Sequence, residues 1–351
     1  MKKALLSCLV CLSLYAQEVQ LVHDFTTRDH PEEIFDPASP YRILQDALYK
    51  NHIQLRCLNK QSSPLYAVKE EKSTWKKKIQ DFFMEEEKTL CISDDPRAYL
   101  VLWNLPSDVS FSEITKVPTD RLILFAFEPP VNIPKQYSEA VTKQFSKIYT
   151  WNDDLVDDKK FFKFFYPALK QLNEPLPEYK ERKLCTLIAP NASSNEPGEL
   201  FSARRSIISY FESSAPNDFA LYGTGWKASE HKCYKGVSAE DTLKQYRFTI
   251  CYEDMKDIKG YISEKIFECF SAGSVPVYLG ASNITKYIPK HCFIDRRDFK
   301  SDEELYLFLK NVSEESYDMY VNNIRTFIDS KEAKVFSMDC FIETFTEAIQ
   351  N

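Results

Sequence analysis

One segment of this 351-residue chain constrains its fold more than any other: residues 248–280, FTICYEDMKDIKGYISEKIFECFSAGSVPVYLG. Residues 248–252 are a short apolar and β-branched run of the kind a buried strand needs. Two carboxylates, Glu253 and Asp254, end it, and a polar loop leads to Gly260. Ile262, Ile266, Phe267 and Phe270 then recur on one face of a helix that opens near Ser263. Gly273 stands where a helix C-terminal glycine belongs, and Val275-Pro-Val-Tyr-Leu279 starts a second strand. Strand, crossover helix and strand make a right-handed parallel unit, which takes its ligands at the carboxyl ends of the strands.

That placement carries a chemical expectation. Backbone N–H groups at the start of the helix can meet phosphate oxygens. Lys265 lies in the first helical turn, where a cation is unfavourable for the helix dipole unless an anion sits beside it. Glu264 is placed to accept hydrogen bonds from ribose or sugar hydroxyls. A solvated Glu-Lys pair on an ordinary α/β helix fits the same residues, and the chemistry alone leaves both readings open.

The run Cys251-Tyr-Glu-Asp254, then Gly260-Tyr-Ile-Ser-Glu-Lys265, then Ala272-Gly-Ser-Val-Pro-Val-Tyr-Leu-Gly280 resembles the donor-binding signature of the α-1,3/1,4-fucosyltransferases, glycosyltransferase family 10. Cys292-Phe-Ile-Asp295 and Asp298-Phe299 resemble elements further along it, and the resemblance covers about residues 98–300. In two places the chain departs from the pattern: Asp254 replaces the family's asparagine and Ser263 its threonine. Serine keeps the hydroxyl and the helix-cap role, whereas aspartate adds negative charge near an anionic donor. The resemblance implies an α/β fold of two Rossmann-like domains facing a cleft (GT-B type). It implies GDP-fucose as co-substrate, no cofactor, no obligatory metal, and an oligosaccharide or glycoconjugate acceptor. The donor-binding residues it implies are Arg204, Tyr252, Glu253, Asp254, Tyr261, Ser263, Glu264 and Lys265.

The first half reads as a separate α/β domain. Residues 99–103 and 122–127 are continuous apolar runs of buried parallel strands, and 148–151 is a further strand. Helical patterns fall at 41–50, 73–88 and 136–147. Glu128 ends the 122–127 run, and Pro129-Pro130 turns the chain immediately after it. A carboxylate at a strand end facing a cleft suits general-base work, and an ordinary solvated loop glutamate fits as well. The resemblance favours the first: Phe127-Glu128-Pro129-Pro130 looks like the family's Glu-(Ser/Asn)-Pro element, whose glutamate is the catalytic base for the acceptor hydroxyl. Tyr149-Thr-Trp-Asn-Asp-Asp154 looks like a second element, with Asn152 near the place of its arginine.

Residues 175–182 are the expected linker, dividing an acceptor-side domain, 17–175, from a donor-binding domain with C-terminal helices, 176–351. A strand at 184–189 and a polar loop lead to a helix bearing Arg204 and Arg205. An arginine there can grip a diphosphate bidentately, though a basic pair on a helix surface is also common. By spacing to Phe211, Arg204 matches the arginine of the family, with Arg205 as the fallback. All seven glycines lie between Gly198 and Gly280, which places close backbone approach to a ligand in this half.

Composition bounds the rest. Apolar residues at 44% and aromatics at 14% exclude a disordered chain, and 351 residues favour two domains. A formal charge of −7 gives no electrostatic basis for nucleic-acid binding. Met1-Lys-Lys followed by thirteen uncharged residues, 4–16, reads as a signal peptide or a short membrane-associating anchor. Export or membrane association is therefore expected. Of ten cysteines, eight lie beyond that leader, none in a C-x-x-C pair, and most are expected as buried free thiols. Neither an Asp-x-Asp nor a metal-ligand spacing of the five histidines occurs. Two other functions fit the chain: a transferase of another GDP-sugar, or a non-catalytic carbohydrate-binding relative.

Overall fold

Continuous apolar strands need cover on both faces, and that requirement organises the chain into parallel sheets. The computed structural model describes residues 17–23, 40–50, 53–57, 98–106, 111–226 and 238–350. The 1–16 leader, the helix expected at 73–88, Cys91 and Cys233 lie outside the described residues. In the first half, β1 (Gln17–His23), β2 (Ile53–Cys57), β3 (Tyr99–Trp103), β4 (Leu122–Ala126), β5 (Lys147–Thr150) and β6 (Phe161–Lys163) form one sheet, ordered β2-β1-β3-β4-β5-β6. In the second, β7 (Lys183–Ile188), β8 (Phe219–Tyr222), β9 (Tyr246–Tyr252), β10 (Val275–Leu279) and β11 (Ile294–Asp295) are ordered β11-β10-β9-β7-β8. Every pairing in both sheets is parallel. Each order reverses once, between β1 and β3 and between β7 and β9. A reversal of this kind opens a crevice beyond the carboxyl ends of the strands.

The helices are α1 (Pro40–Lys50), α2 (Phe111–Ile114), α3 (Glu139–Thr142), α4 (Phe201–Ser214), α5 (Ala239–Leu243), α6 (Glu264–Ser271), α7 (Asp302–Asn311), α8 (Glu314–Ile328) and α9 (Met338–Gln350). Serine hydroxyls accept from backbone N–H groups at the starts of α5, α6, α7 and α8, which satisfies donors a helix otherwise leaves unpaired. Among the described residues no helix is long and apolar enough to cross a membrane.

Strand alternation divides each sheet's residues between two cores. Phe248, Ile250 and Tyr252 of β9 face α4, α7 and part of α8, whereas Cys251 faces α6 and the end of α8. In the first sheet Leu100, Leu102, Leu122 and Leu124 pack with Ile114, Val141 and Phe145. Val101, Trp103, Ile123 and Phe125 point the other way, towards Leu44 and Leu48 of α1. That face is closed by α9: Phe345 stacks on Phe125 with ring centroids 5.3 Å apart, and Phe341 lies edge-on to the same ring at 5.7 Å. Dividing the chain at 175 and 176 assigns this last helix to the second half, yet its apolar face packs on the first sheet. Cys185, Cys251, Cys269 and Cys292 are buried free thiols, and Cys340 is a half-buried one.

One expected element takes a different form. The pattern at 136–147 is broken into a 3-10 turn, Pro134–Tyr137, and the four-residue α3, because Ser138 between them is extended at φ −71°, ψ 146°. Phe345 is fully buried in the α9 seam. Phe345→Ala should therefore lower unfolding stability by about 3–5 kcal/mol, the scale of a large aromatic truncation, read as a fall in denaturant midpoint.

Candidate active site

Two strand ends supply the chemistry. On the second sheet β9 runs out at Glu253 and Asp254, and their side chains go to different places. Glu253 is fully buried; its carboxylate accepts from the Ser263 backbone N–H at 2.9 Å and from Ser263 Oγ at 2.7 Å. Burial raises its pKa. Gly280 makes room for it, since a Cβ there would stand 2.5 Å from Glu253 Cγ. Ser263 in turn caps α6, which carries Glu264 and Lys265 in its first turn. Asp254 faces the cleft side: its Oδ1 accepts from Arg204 Nη2 at 2.7 Å and lies 3.6 Å from Lys265 Nζ.

Arg204 arrives from α4. That helix is docked on the end of β9 by the Leu200 N–H, which donates to the Asp254 carbonyl at 2.9 Å. The Arg204 side chain is nearly buried and also donates to the Tyr252 carbonyl at 2.6 Å. Lys265 has three carboxylates around it: Glu253 at 3.7 Å, Asp254 at 3.6 Å and Glu264 at 3.7 Å. Burial alone would lower the Lys265 pKa; Glu264, Asp254 and Glu253 outweigh it and hold the ammonium charged, above the ordinary lysine range. Burial likewise works to raise Asp254, but Lys265 and Arg204 overcome it and hold the carboxyl down to about 2. The arrangement is a pair of fixed cations sharing one carboxylate oxygen.

Glu128 reaches the cleft from the end of β4. Its backbone N–H donates to Asn104 Oδ1 at 2.8 Å, and Asn104 adopts φ 64° to present that oxygen. Gln136 Nε2 and the Tyr137 hydroxyl donate to its carbonyl, the former at 2.7 Å. The carboxylate is held by Asn132, whose Nδ2 donates to Glu128 Oε2 at 2.6 Å and to Asp254 Oδ2 at 3.0 Å. One amide nitrogen thus joins a residue of the first sheet to the cation pair of the second. Burial raises the Glu128 pKa, Asp254 and Glu264 add to the rise, and Asn132 and Lys265 oppose it. The two cleft carboxylates are therefore driven apart, Asp254 downward and Glu128 upward, which fits Glu128 and not Asp254 to take a proton.

A second polar contact fixes how the halves meet. Asp153, beyond β5, accepts from Lys163 Nζ at 2.6 Å, Asn283 Nδ2 at 2.8 Å and the Tyr287 hydroxyl at 2.6 Å. Asn283 Oδ1 accepts the Gly260 N–H at 2.8 Å, and Lys259 bridges to Asp154 at 2.8 Å. Gly260 sits at φ +80°, and a Cβ there would stand 2.4 Å from the Trp151 carbonyl. Tyr261 packs on Trp151 with centroids 4.4 Å apart. The loop before α6 is consequently gripped by the first half of the protein.

Of the residues expected at the site, the structure brings together Glu128, Arg204, Asp254, Glu264 and Lys265. Arg205 donates instead to the Ala192 carbonyl. Tyr252, Glu253, Tyr261 and Ser263 are buried and act through others: Tyr252 by its carbonyl on Arg204, Glu253 by Ser263, Ser263 as cap, Tyr261 by packing on Trp151. Sequence reasoning did not single out Asn132, Asn104, Lys163, Asn283 or Tyr287. A short polar residue just past Pro129-Pro130 was the one usable signal for Asn132. Among the described residues no group of three or more His, Cys, Asp or Glu is arranged to hold a metal ion. A separate concavity between α7 and α8, lined by Leu307, Phe308, Met319 and Tyr320, contains none of these site residues.

Residues 180–340, which contain the cation pair and its buried support, match the model of the glycosyltransferase family 10 (fucosyltransferase) C-terminal region. This part of the chain is similar to glycosyltransferase family 10. An α-(1,4)-fucosyltransferase from Arabidopsis thaliana is 34% identical over 73 residues, 21% of this chain and 18% of that protein. A 4-galactosyl-N-acetylglucosaminide 3-α-L-fucosyltransferase 9 from Mus musculus is 41% identical over 85 residues, 23% of each chain. The chain thus spans about a fifth of the length of these fucosyltransferases. The likeness of fold is wider: a solved α1,3-fucosyltransferase with GDP superposes with a TM-score of 0.54, covering 95% of this chain and 91% of its own at 13% identity. At that identity the likeness concerns fold, the GT-B arrangement of two parallel sheets about a cleft.

The Asp153 contact yields a prediction. Asp153→Ala leaves Lys163, 21% exposed, without its counter-ion and should cost about 1–3 kcal/mol after allowance for partial exposure. Urea unfolding measures it. Asp153→Asn, which removes the same charge but keeps one acceptor oxygen, should lose less; equal losses would show that the charge alone, and not the acceptor oxygen, sets the cost.

Proposed function

We propose that this protein transfers L-fucose from GDP-fucose to a hydroxyl of an N-acetylglucosamine- or glucose-containing glycan, forming an α-1,3 or α-1,4 linkage with inversion, in glycoprotein or lipopolysaccharide fucosylation. The observation that carries the reading is the opposition, across one cleft, of a raised-pKa carboxylate on the first sheet and two cations on the second. The family 10 match of residues 180–340 supports the donor half, and the relatives' names support fucose as the sugar transferred.

Each residue then has a task. Arg204 and Lys265 meet the diphosphate, with the N-terminal N–H groups of α6 beside them. Glu264, half exposed, accepts from ribose or fucose hydroxyls. As the acceptor oxygen bonds to the sugar's anomeric carbon, the bond from that carbon to the diphosphate oxygen breaks and GDP leaves with the electron pair. Arg204 and Lys265 stabilise the charge that develops on it, a contribution of about 2.7–4 kcal/mol per well-placed donor in comparable sites. Glu128 takes the acceptor hydroxyl's proton. Its partly desolvated carboxylate is a stronger base than a solvated glutamate.

The kinetic test uses GDP release from GDP-fucose across a panel of lactosamine-type and glucose-containing acceptors. Glu128→Gln should lower kcat by roughly two to four orders of magnitude. The acid limb of the wild-type pH–rate profile should lie above the ordinary glutamate range, because Glu128 must be unprotonated to act. Asn132→Ala removes a hydrogen bond that favours the charged carboxylate, so it should move that limb to higher pH. A Glu128→Gln rate equal to wild type would remove Glu128 from the reaction, and an unmoved limb would remove Asn132 from its control.

A further inference from the structure

We infer that Asp254 is an internal occupant of the cation pair, and that it sets how tightly the site takes a nucleoside diphosphate. The inference rests on the donor reading above and goes beyond it, because it concerns an anion the protein itself supplies. Asp254 Oδ1 sits where both cations converge, 2.7 Å from Arg204 Nη2 and 3.6 Å from Lys265 Nζ. Its other oxygen accepts from Asn132. Of the carboxylates near Lys265 among the described residues, Glu253 is engaged with Ser263, and Glu264 lies half exposed, 3.7 Å from Lys265. Asp254 alone among these three carries an ion pair to both Arg204 and Lys265.

A diphosphate oxygen and the Asp254 carboxylate are therefore rivals for the same N–H donors. The ligand must take Arg204 and Lys265 from an anion already bonded to them, and then bear the repulsion of that anion at close range. Asparagine has nearly the volume of aspartate and keeps an acceptor oxygen for Arg204, but it carries no charge. With Asp254→Asn the pair loses the one carboxylate that both cations share: Lys265 keeps Glu253 and Glu264 nearby, whereas Arg204, 5% exposed, keeps only neutral acceptors. Two consequences follow from that one change. The unbound variant becomes less stable, and an arriving diphosphate restores more than it does in the wild type.

The test is a calorimetric titration of the full chain, wild type and Asp254→Asn, with GDP, UDP and inorganic pyrophosphate, paired with thermal melts with and without each. Asp254→Asn should bind GDP about tenfold or more tightly, in keeping with the loss of one partly screened like charge. It should melt below the wild type alone and gain more in Tm from GDP. Asp254→Ser, a second neutral variant, supplies the comparison if the asparagine form does not fold. Misfolding cannot produce a gain in affinity, so a tighter Kd in either variant supports the inference. Equal or weaker GDP binding by both folded variants overturns it. If UDP binds and GDP does not, the fucosyl-donor reading falls, and the same wild-type and variant comparison made on UDP still decides the role of Asp254. If none of the three ligands binds either protein, the cation pair is not a diphosphate site and the inference falls with it.

Discussion

A carboxylate taken wholly out of water must find hydrogen-bond donors inside the protein, and Glu253 finds both of its donors on Ser263. Much of the site depends on that contact. It anchors the start of α6 to the end of β9, so Lys265 and Glu264 emerge at a fixed place relative to Asp254. Because adjacent residues of an extended chain point to opposite sides, a Glu253 turned inward puts Asp254 on the cleft side, where Arg204 reaches it. Gly280 belongs to the same arrangement, since no side chain fits beside Glu253.

The opposing half is built by different means. Glu128 stands on a loop, yet its backbone is held by Asn104, Gln136 and Tyr137 and its carboxylate by Asn132. The Phe127 carbonyl just before it accepts from Trp151 Nε1 at 2.8 Å and from the Tyr166 hydroxyl. Preorganisation of this sort lets a loop residue serve as a base without reordering at the moment of reaction. The two halves meet through Asp153, Asn283, Tyr287 and the Trp151–Tyr261 packing. Through α9 the end of the chain covers the first sheet, so the base side depends on residues at 338–350.

The extent to which all this was legible in the sequence follows from the kind of signal each part carries. The strands 99–103 and 122–127 and the unit at 248–280 were readable because buried parallel strands and their crossover helix leave continuous apolar runs and a regular face. Glu128 was readable from its position at a strand end before two prolines. The partner of α9 was not, since an amphipathic helix shows that one face is buried but not against what. Asn132 and Asn104 were hidden because short polar residues in turns have no period. Glu253 was grouped with the cleft residues because two neighbouring carboxylates look alike in a sequence. Only the direction of the strand decides which one faces inward.

The central claim divides the labour: Arg204 and Lys265 hold the donor, and Glu128 acts on the acceptor. Equilibrium binding of GDP-fucose to the full chain, beside Lys265→Ala and Glu128→Gln, tests that division most directly. Wild type and Glu128→Gln should bind with similar affinity, while Lys265→Ala should lose binding by at least about tenfold, consistent with removal of a charged contact to phosphate. Undiminished binding in Lys265→Ala, or a loss in Glu128→Gln as large as in Lys265→Ala, would contradict it.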